Sequence, residues 1–70
     1  MNEVDQEIHD IVNKVKEERL KQGLSHEKLA ELAGVHRSTI SLLESGKTSI
    51  TLKNVIKISK ALRINFQVGF

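Results

Sequence analysis

The stretch that decides the fold reads Gly23-Leu24-Ser25-His26-Glu27-Lys28-Leu29-Ala30-Glu31-Leu32-Ala33-Gly34-Val35-His36-Arg37-Ser38-Thr39-Ile40-Ser41-Leu42-Leu43-Glu44-Ser45-Gly46-Lys47. Ser25 is a good N-cap, because its hydroxyl can accept from a free N–H of the first turn. Glu27 falls in that turn, where the helix dipole favours an acid. Leu29, Ala30, Leu32 and Ala33 give the helix an apolar face, and Gly34 ends it after about nine residues. Gly34 takes the left-handed turn that a Cβ would make costly. A second short helix is expected from His36 to Glu44, with Ile40 and Leu43 facing inward and Gly46 closing it. Ala30 is small where the two helices would cross, and Val35 is the apolar residue just past the turn. A small residue, a glycine and apolar anchors at fixed offsets are what two tightly crossed short helices require.

On the N-terminal side, Ile8, Ile11, Val12 and Val15 lie at helical spacing, and Val4 extends the stripe backwards. They predict a helix over Asp5 to Gln22, with basic charge in its last turn and a stop at Gly23. On the C-terminal side, Gly46-Lys47-Thr48-Ser49 reads as a polar loop. Thr51 then caps a further helix whose buried side is expected to carry Leu52, Val55, Ile56, Ile58, Ser59 and Leu62. Beyond it the period changes. Ile64, Phe66, Val68 and Phe70 alternate with Asn65, Gln67 and Gly69, which predicts a half-buried strand over about 64–70. A lone strand has no partner for its ladder groups, and pairing with the same strand of a second chain would satisfy them.

Seventy residues allow one domain, 1–70. A domain this short buries only about 60% of its unfolded surface and needs some staple. With no cysteine in the chain, neither disulfides nor thiolate-bound zinc can supply it, and oligomerisation is the remaining common route. The apolar runs are too short to span a membrane. The acidic start, Met1 to Asp5, has no apolar core of the kind a signal peptide carries. A cytoplasmic location is therefore expected. The net charge is only +2, but it is divided: residues 1–18 hold six acids and two bases, and residues 19–70 hold nine bases and three acids. A basic side and an acidic side turned away from it suit binding to a polyanion.

The quoted run, continued through Thr51-Leu52 to Leu62, resembles the lambda-repressor-like, Cro/C1-type helix-turn-helix family, also called the Xre family. The resemblance covers about two-thirds of the chain, with the helix-turn-helix itself at about 25–45. It implies an all-α fold: four helices of the lambda-repressor-like DNA-binding type, to which the residues add a short C-terminal β-strand pairing across a dimer. It further implies a sequence-specific regulator whose third helix reads the major groove. Arg37, Ser38, Ser41 and Leu42 match the positions that reach base edges. Arg37 suits guanine O6 and N7, and Leu42 suits a thymine methyl. His26, where glutamine is usual, matches a phosphate contact. Ser45, Lys47 and Thr48 match a second phosphate clamp. His36 stands where serine or threonine normally caps the recognition helix; histidine caps poorly, so it is assigned to phosphate instead. Arg19 and Glu44 match a partly buried structural ion pair.

An enzyme is a poor alternative. His9 has Asp5, Asp10, Glu17 and Glu18 near it on one exposed helix, which reads as a solvated face. There is no nucleophile elbow, phosphate-binding glycine loop or HExxH spacing, and no cofactor or metal is expected. The expected partners are double-stranded DNA and a second copy of the chain joined through Ile64, Phe66, Val68 and Phe70, with no membrane. The function expected is a dimeric repressor on a pseudo-palindromic operator. The terminal strand also resembles HipB-like antitoxins, which keeps open an antitoxin-like protein that binds a toxin partner and autoregulates its operon. A restriction–modification controller protein is open as well.

Overall fold

The computed structural model describes residues 3–46 and 51–64. Four helices are present among these residues, and no strand: α1 (Glu3–Lys21), α2 (His26–Ala33), α3 (Arg37–Ser45) and α4 (Leu52–Leu62). The loop residues Lys47 and Thr48, and the tail residues Phe66, Val68 and Phe70, lie outside the described residues. So does the expected strand, apart from its first residue.

The helix ends follow from local chemistry. The Ser25 hydroxyl accepts from Lys28 N at 3.0 Å, and the Thr51 hydroxyl accepts from Asn54 N at 3.2 Å. Each satisfies an N–H that has no intrahelical acceptor. Gly34 has φ 71°, and a Cβ built on it would meet nothing within 4 Å. The backbone angle alone therefore reserves the position for glycine. Gly34 N donates to Glu31 O at 3.3 Å and Val35 N to Ala30 O at 3.0 Å, the paired bonds of a Schellman turn. The same pair ends α1, where Gly23 N donates to Leu20 O and Leu24 N to Arg19 O.

α4 ends in this way without a glycine. Arg63 has φ 60°, the only positive φ on a non-glycine residue among those described. Arg63 N donates to Lys60 O and Ile64 N to Ser59 O. Ile64, expected at the head of a strand, instead closes the α4 cap and packs against the core. A left-handed L-residue costs about 1–2 kcal/mol. Arg63→Gly should recover part of that, with roughly 0.5–1 kcal/mol returned through a freer unfolded chain. The expected net gain is about 0.5–1 kcal/mol, read as a rise of a few degrees in thermal unfolding.

The core joins all four helices: Val12 and Val15 of α1, Leu29, Ala30 and Ala33 of α2, Ile40 and Leu43 of α3, and Ile58 and Leu62 of α4. Leu24, Val35, Ala61 and Ile64 close its edges. Five expected core residues are exposed instead. Val4 and Ile8 continue the α1 stripe beyond the packed body, Leu32 lies on the outer side of α2, and Leu52 and Ile56 lie outward on α4. Helical period identifies an apolar face; it does not say where the neighbouring helices end.

Candidate nucleic-acid interface

α3 is short because its stop signals lie close together. His36 precedes it in an extended conformation with no side-chain cap bond, and Gly46 follows it at φ 70°. Ile40 and Leu43 fix one side of α3 to the core, leaving almost no exposed surface on either. At 100° per residue, Arg37, Ser41, Ser45, Ser38 and Leu42 fall in one arc on the opposite side. All five are exposed. Ser45 Oγ donates back to Leu42 O at 2.7 Å, which ties down the last turn. The result is a convex helix face with a cation at its N-terminal end, small hydroxyls along it and one leucine.

The end of α3 is tied to α1 and α2 by a charged cluster. Arg19 Nε donates to Glu44 Oε2 at 2.6 Å, and Arg19 Nη2 donates to Glu44 Oε1 at 3.0 Å. Arg19 Nη1 donates to Leu24 O at 2.7 Å, so one guanidinium joins α1, the α1–α2 turn and α3. Both side chains are nearly buried, with 11% of Arg19 and 6% of Glu44 exposed. This fork geometry is the strong form of an ion pair. His26, at the start of α2, brings Nε2 within 3.2 Å of Glu44 Oε1. An ionised carboxylate only accepts, so the imidazole donates. Burial alone would push the Glu44 carboxyl up. The hydrogen bonds from Arg19 and His26, with the charges behind them, outweigh burial and hold Glu44 below its ordinary value of 4.5.

Of the candidate base-reading residues, Arg37, Ser38, Ser41 and Leu42 share one exposed face. Of the candidate phosphate-binding residues, His36 is exposed at the start of α3 and Ser45 at its end. His26 is half-buried against Glu44. The sequence reading did not anticipate that His26 joins the ion pair. No spacing signals it, because the two residues are 18 positions apart on different helices.

Two short crossed helices with a glycine turn, the second held by its apolar anchors and outward by its polar face, define a helix-turn-helix domain. The helix-turn-helix family matches residues 15–68. An uncharacterized HTH-type transcriptional regulator of Bacillus subtilis, YgzD, is 42% identical over 58 residues, covering 83% of this chain and 88% of that protein. The control protein C.BamHI of Bacillus amyloliquefaciens is 46% identical over 52 residues, 73% of this chain and 64% of that protein. An uncharacterized HTH-type transcriptional regulator of Archaeoglobus fulgidus is 35% identical over 54 residues, 77% of each chain. The chain therefore belongs to the Cro/C1-type helix-turn-helix family, and it is a DNA-binding transcriptional regulator.

Proposed function

We propose that the chain acts as one domain, 1–70, in the cytoplasm, and represses transcription as a homodimer on a pseudo-palindromic operator. It works by occupying DNA rather than by catalysis. The single observation that supports this best is the exposed α3 face of Arg37, Ser38, Ser41 and Leu42, held outward by Ile40 and Leu43. In this reading those four side chains meet base edges. His36, Ser45, Lys47 and Thr48 meet phosphates. His26 meets phosphate through the free backbone N–H groups at the start of α2, which favour an anion, while its ring Nε2 stays on Glu44. Two copies place their recognition helices in successive major grooves, about 34 Å apart.

The tail supplies part of the dimer contact, with Phe66, Val68 and Phe70 as its apolar side. Because Ile64 is engaged by its own chain's core, the intermolecular pairing begins after it. Removing residues 65–70 should weaken self-association and DNA binding together, measured by light scattering and by titration of labelled duplex. An unchanged dimer refutes the tail contact.

Selection of bound duplexes from a random pool tests the whole reading. Enrichment of a two-fold symmetric site is expected, and a pool that stays random overturns specific dimeric binding. Lys47→Ala should weaken all selected sequences alike and flatten the salt dependence by about one unit of slope. A controller protein is the second reading, favoured by the 46% identity to a protein named as a control protein. It shares the dimer and the symmetric site.

A further inference from the structure

Two exposed surfaces of the chain match each other. On α1, Val4 and Ile8 are 66% and 51% exposed; on α4, Leu52 and Ile56 are 64% and 46% exposed. Each apolar pair is spaced i, i+4, so it forms a short stripe along its helix. Ile8 also borders an open groove with Val12, His9 and Gly46. Neither stripe covers the other within one chain, since all four residues stay open to solvent.

Each stripe is flanked by a row of charge. Beside Val4 and Ile8 run Glu3, Glu7 and Asp10; beside Leu52 and Ile56 run Lys53, Lys57 and Lys60. Both rows have the spacing i, i+4, i+7. At 100° per residue the acidic row lies about 80–140° to one side of its apolar stripe, with Glu7 nearest, and the basic row lies about 60–120° to the opposite side of its own. Two helices laid side by side in the same direction bring such opposite flanks together. Apolar then faces apolar while Glu3 meets Lys53, Glu7 meets Lys57 and Asp10 meets Lys60. Among the described residues, Glu3, Glu7, Lys53, Lys57 and Lys60 form no ion pair within the chain, and Asp10 accepts only from Gln6 at 2.9 Å.

We propose that the N-terminal half of α1 docks in parallel on α4 of a second copy of this chain. Applied twice about a two-fold axis, the contact is reciprocal and closes a dimer. The apolar stripes supply the attraction, and the charged rows choose the partner and the register. The proposal rests on α1 and α4 alone and does not depend on the tail contact. It explains why α1 carries an apolar stripe past the edge of its own core.

Charge reversal in the full chain tests it. One variant carries Glu3→Lys, Glu7→Lys and Asp10→Lys; a second carries Lys53→Glu, Lys57→Glu and Lys60→Glu. All six residues lie outside the core, and circular dichroism checks that both variants fold. Sedimentation should show each variant's self-association weakened by at least about tenfold. Mixing the two should restore a dimer, because each then offers the surface the other needs. Raising salt should weaken the wild-type and mixed dimers alike. Unchanged self-association of the separate variants overturns the proposal. So does a mixture that stays monomeric. Loss of DNA binding by the lysine variant with its dimer intact also overturns it, and assigns the α4 lysines to phosphate.

Discussion

Replacing Glu44 by alanine should lower thermal stability by about 3–5 kcal/mol, because it leaves a nearly buried guanidinium without its counter-charge. Arg19 would keep only its bond to Leu24 O, with Nε and Nη2 losing their acceptors. A chain of 70 residues has roughly 4–10 kcal/mol in total at the usual stability per residue. The substitution therefore removes a large share of it. At about 4–8 °C per kcal/mol for a domain of this size, the midpoint should fall by at least about 12 °C. Glu44→Gln keeps an acceptor oxygen and should cost less. A near-neutral shift for Glu44→Ala would show that the cluster contributes nothing to stability.

The same cluster predicts how stability responds to acid. Arg19 and His26 hold the Glu44 carboxyl below its ordinary value of 4.5 against the opposing effect of burial. A carboxylate depressed on folding contributes its full stabilisation above its unfolded pKa and loses it as pH falls through the folded one. The stability gap between the wild type and Glu44→Gln should thus be constant above about pH 4.5 and narrow steadily below it. Urea midpoints at several pH values measure this. A gap that stays constant into strong acid would mean that the carboxylate's charge is not what stabilises the fold.

What was legible in the sequence was local. Ser25, Gly34, Gly46 and Thr51 mark their helix ends through their own backbone and hydroxyl chemistry, and no distant residue can change that. The exposed face of α3 was legible for a related reason: Ile40 and Leu43 fix which side is buried, and the helical period then assigns Arg37, Ser38, Ser41 and Leu42 to the other. What was not legible depends on where one helix stops against another. Val4 and Ile8 share the period of Val12 and Val15 and differ only in lying past the body that α3 and α4 provide. Leu52 and Ile56 look like core residues because α4 is apolar on more than one side. Arg63 carries no left-handed signal of the kind glycine gives, so its turn, which takes Ile64 into the α4 cap, could not be read from the alternating tail. The bond from His26 to Glu44 follows from how α2 crosses α3, and no pattern within either helix contains it.

Arg37 carries the largest expected effect on DNA. It is the only cation on the exposed α3 arc, and it sits in the first turn, the end whose residues contact base edges when a helix-turn-helix docks on DNA. A guanidinium there can fork onto guanine O6 and N7, a pair worth about 1–3 kcal/mol of discrimination. Arg37→Ala should therefore weaken binding to the selected site by roughly 5- to 150-fold. It should also relax preference at one base pair per half-site and leave the others unchanged. Arg37→Lys separates the two ways in which the arginine could act. A lysine keeps the charge and loses the fork, so it should restore affinity for phosphate without restoring the lost base preference. If Arg37→Lys binds and discriminates like the wild type, Arg37 acts as a charge alone. Specificity would then have to come from Ser38, Ser41 and Leu42, the remaining side chains of the arc assigned to base edges. The fold bears on the size of the effect as well. His36 provides no side-chain cap to α3, so the turn that carries Arg37 is held by Ile40 and Leu43 and by the Thr39 N–H bond to His36 O at 3.0 Å. His36→Ser would add a cap worth about 1 kcal/mol and stiffen that turn. With Arg37 in place, it should raise the ratio of specific to non-specific affinity, because only the specific complex needs the guanidinium held in one place, whereas loss of the His36 phosphate contact weakens both complexes alike.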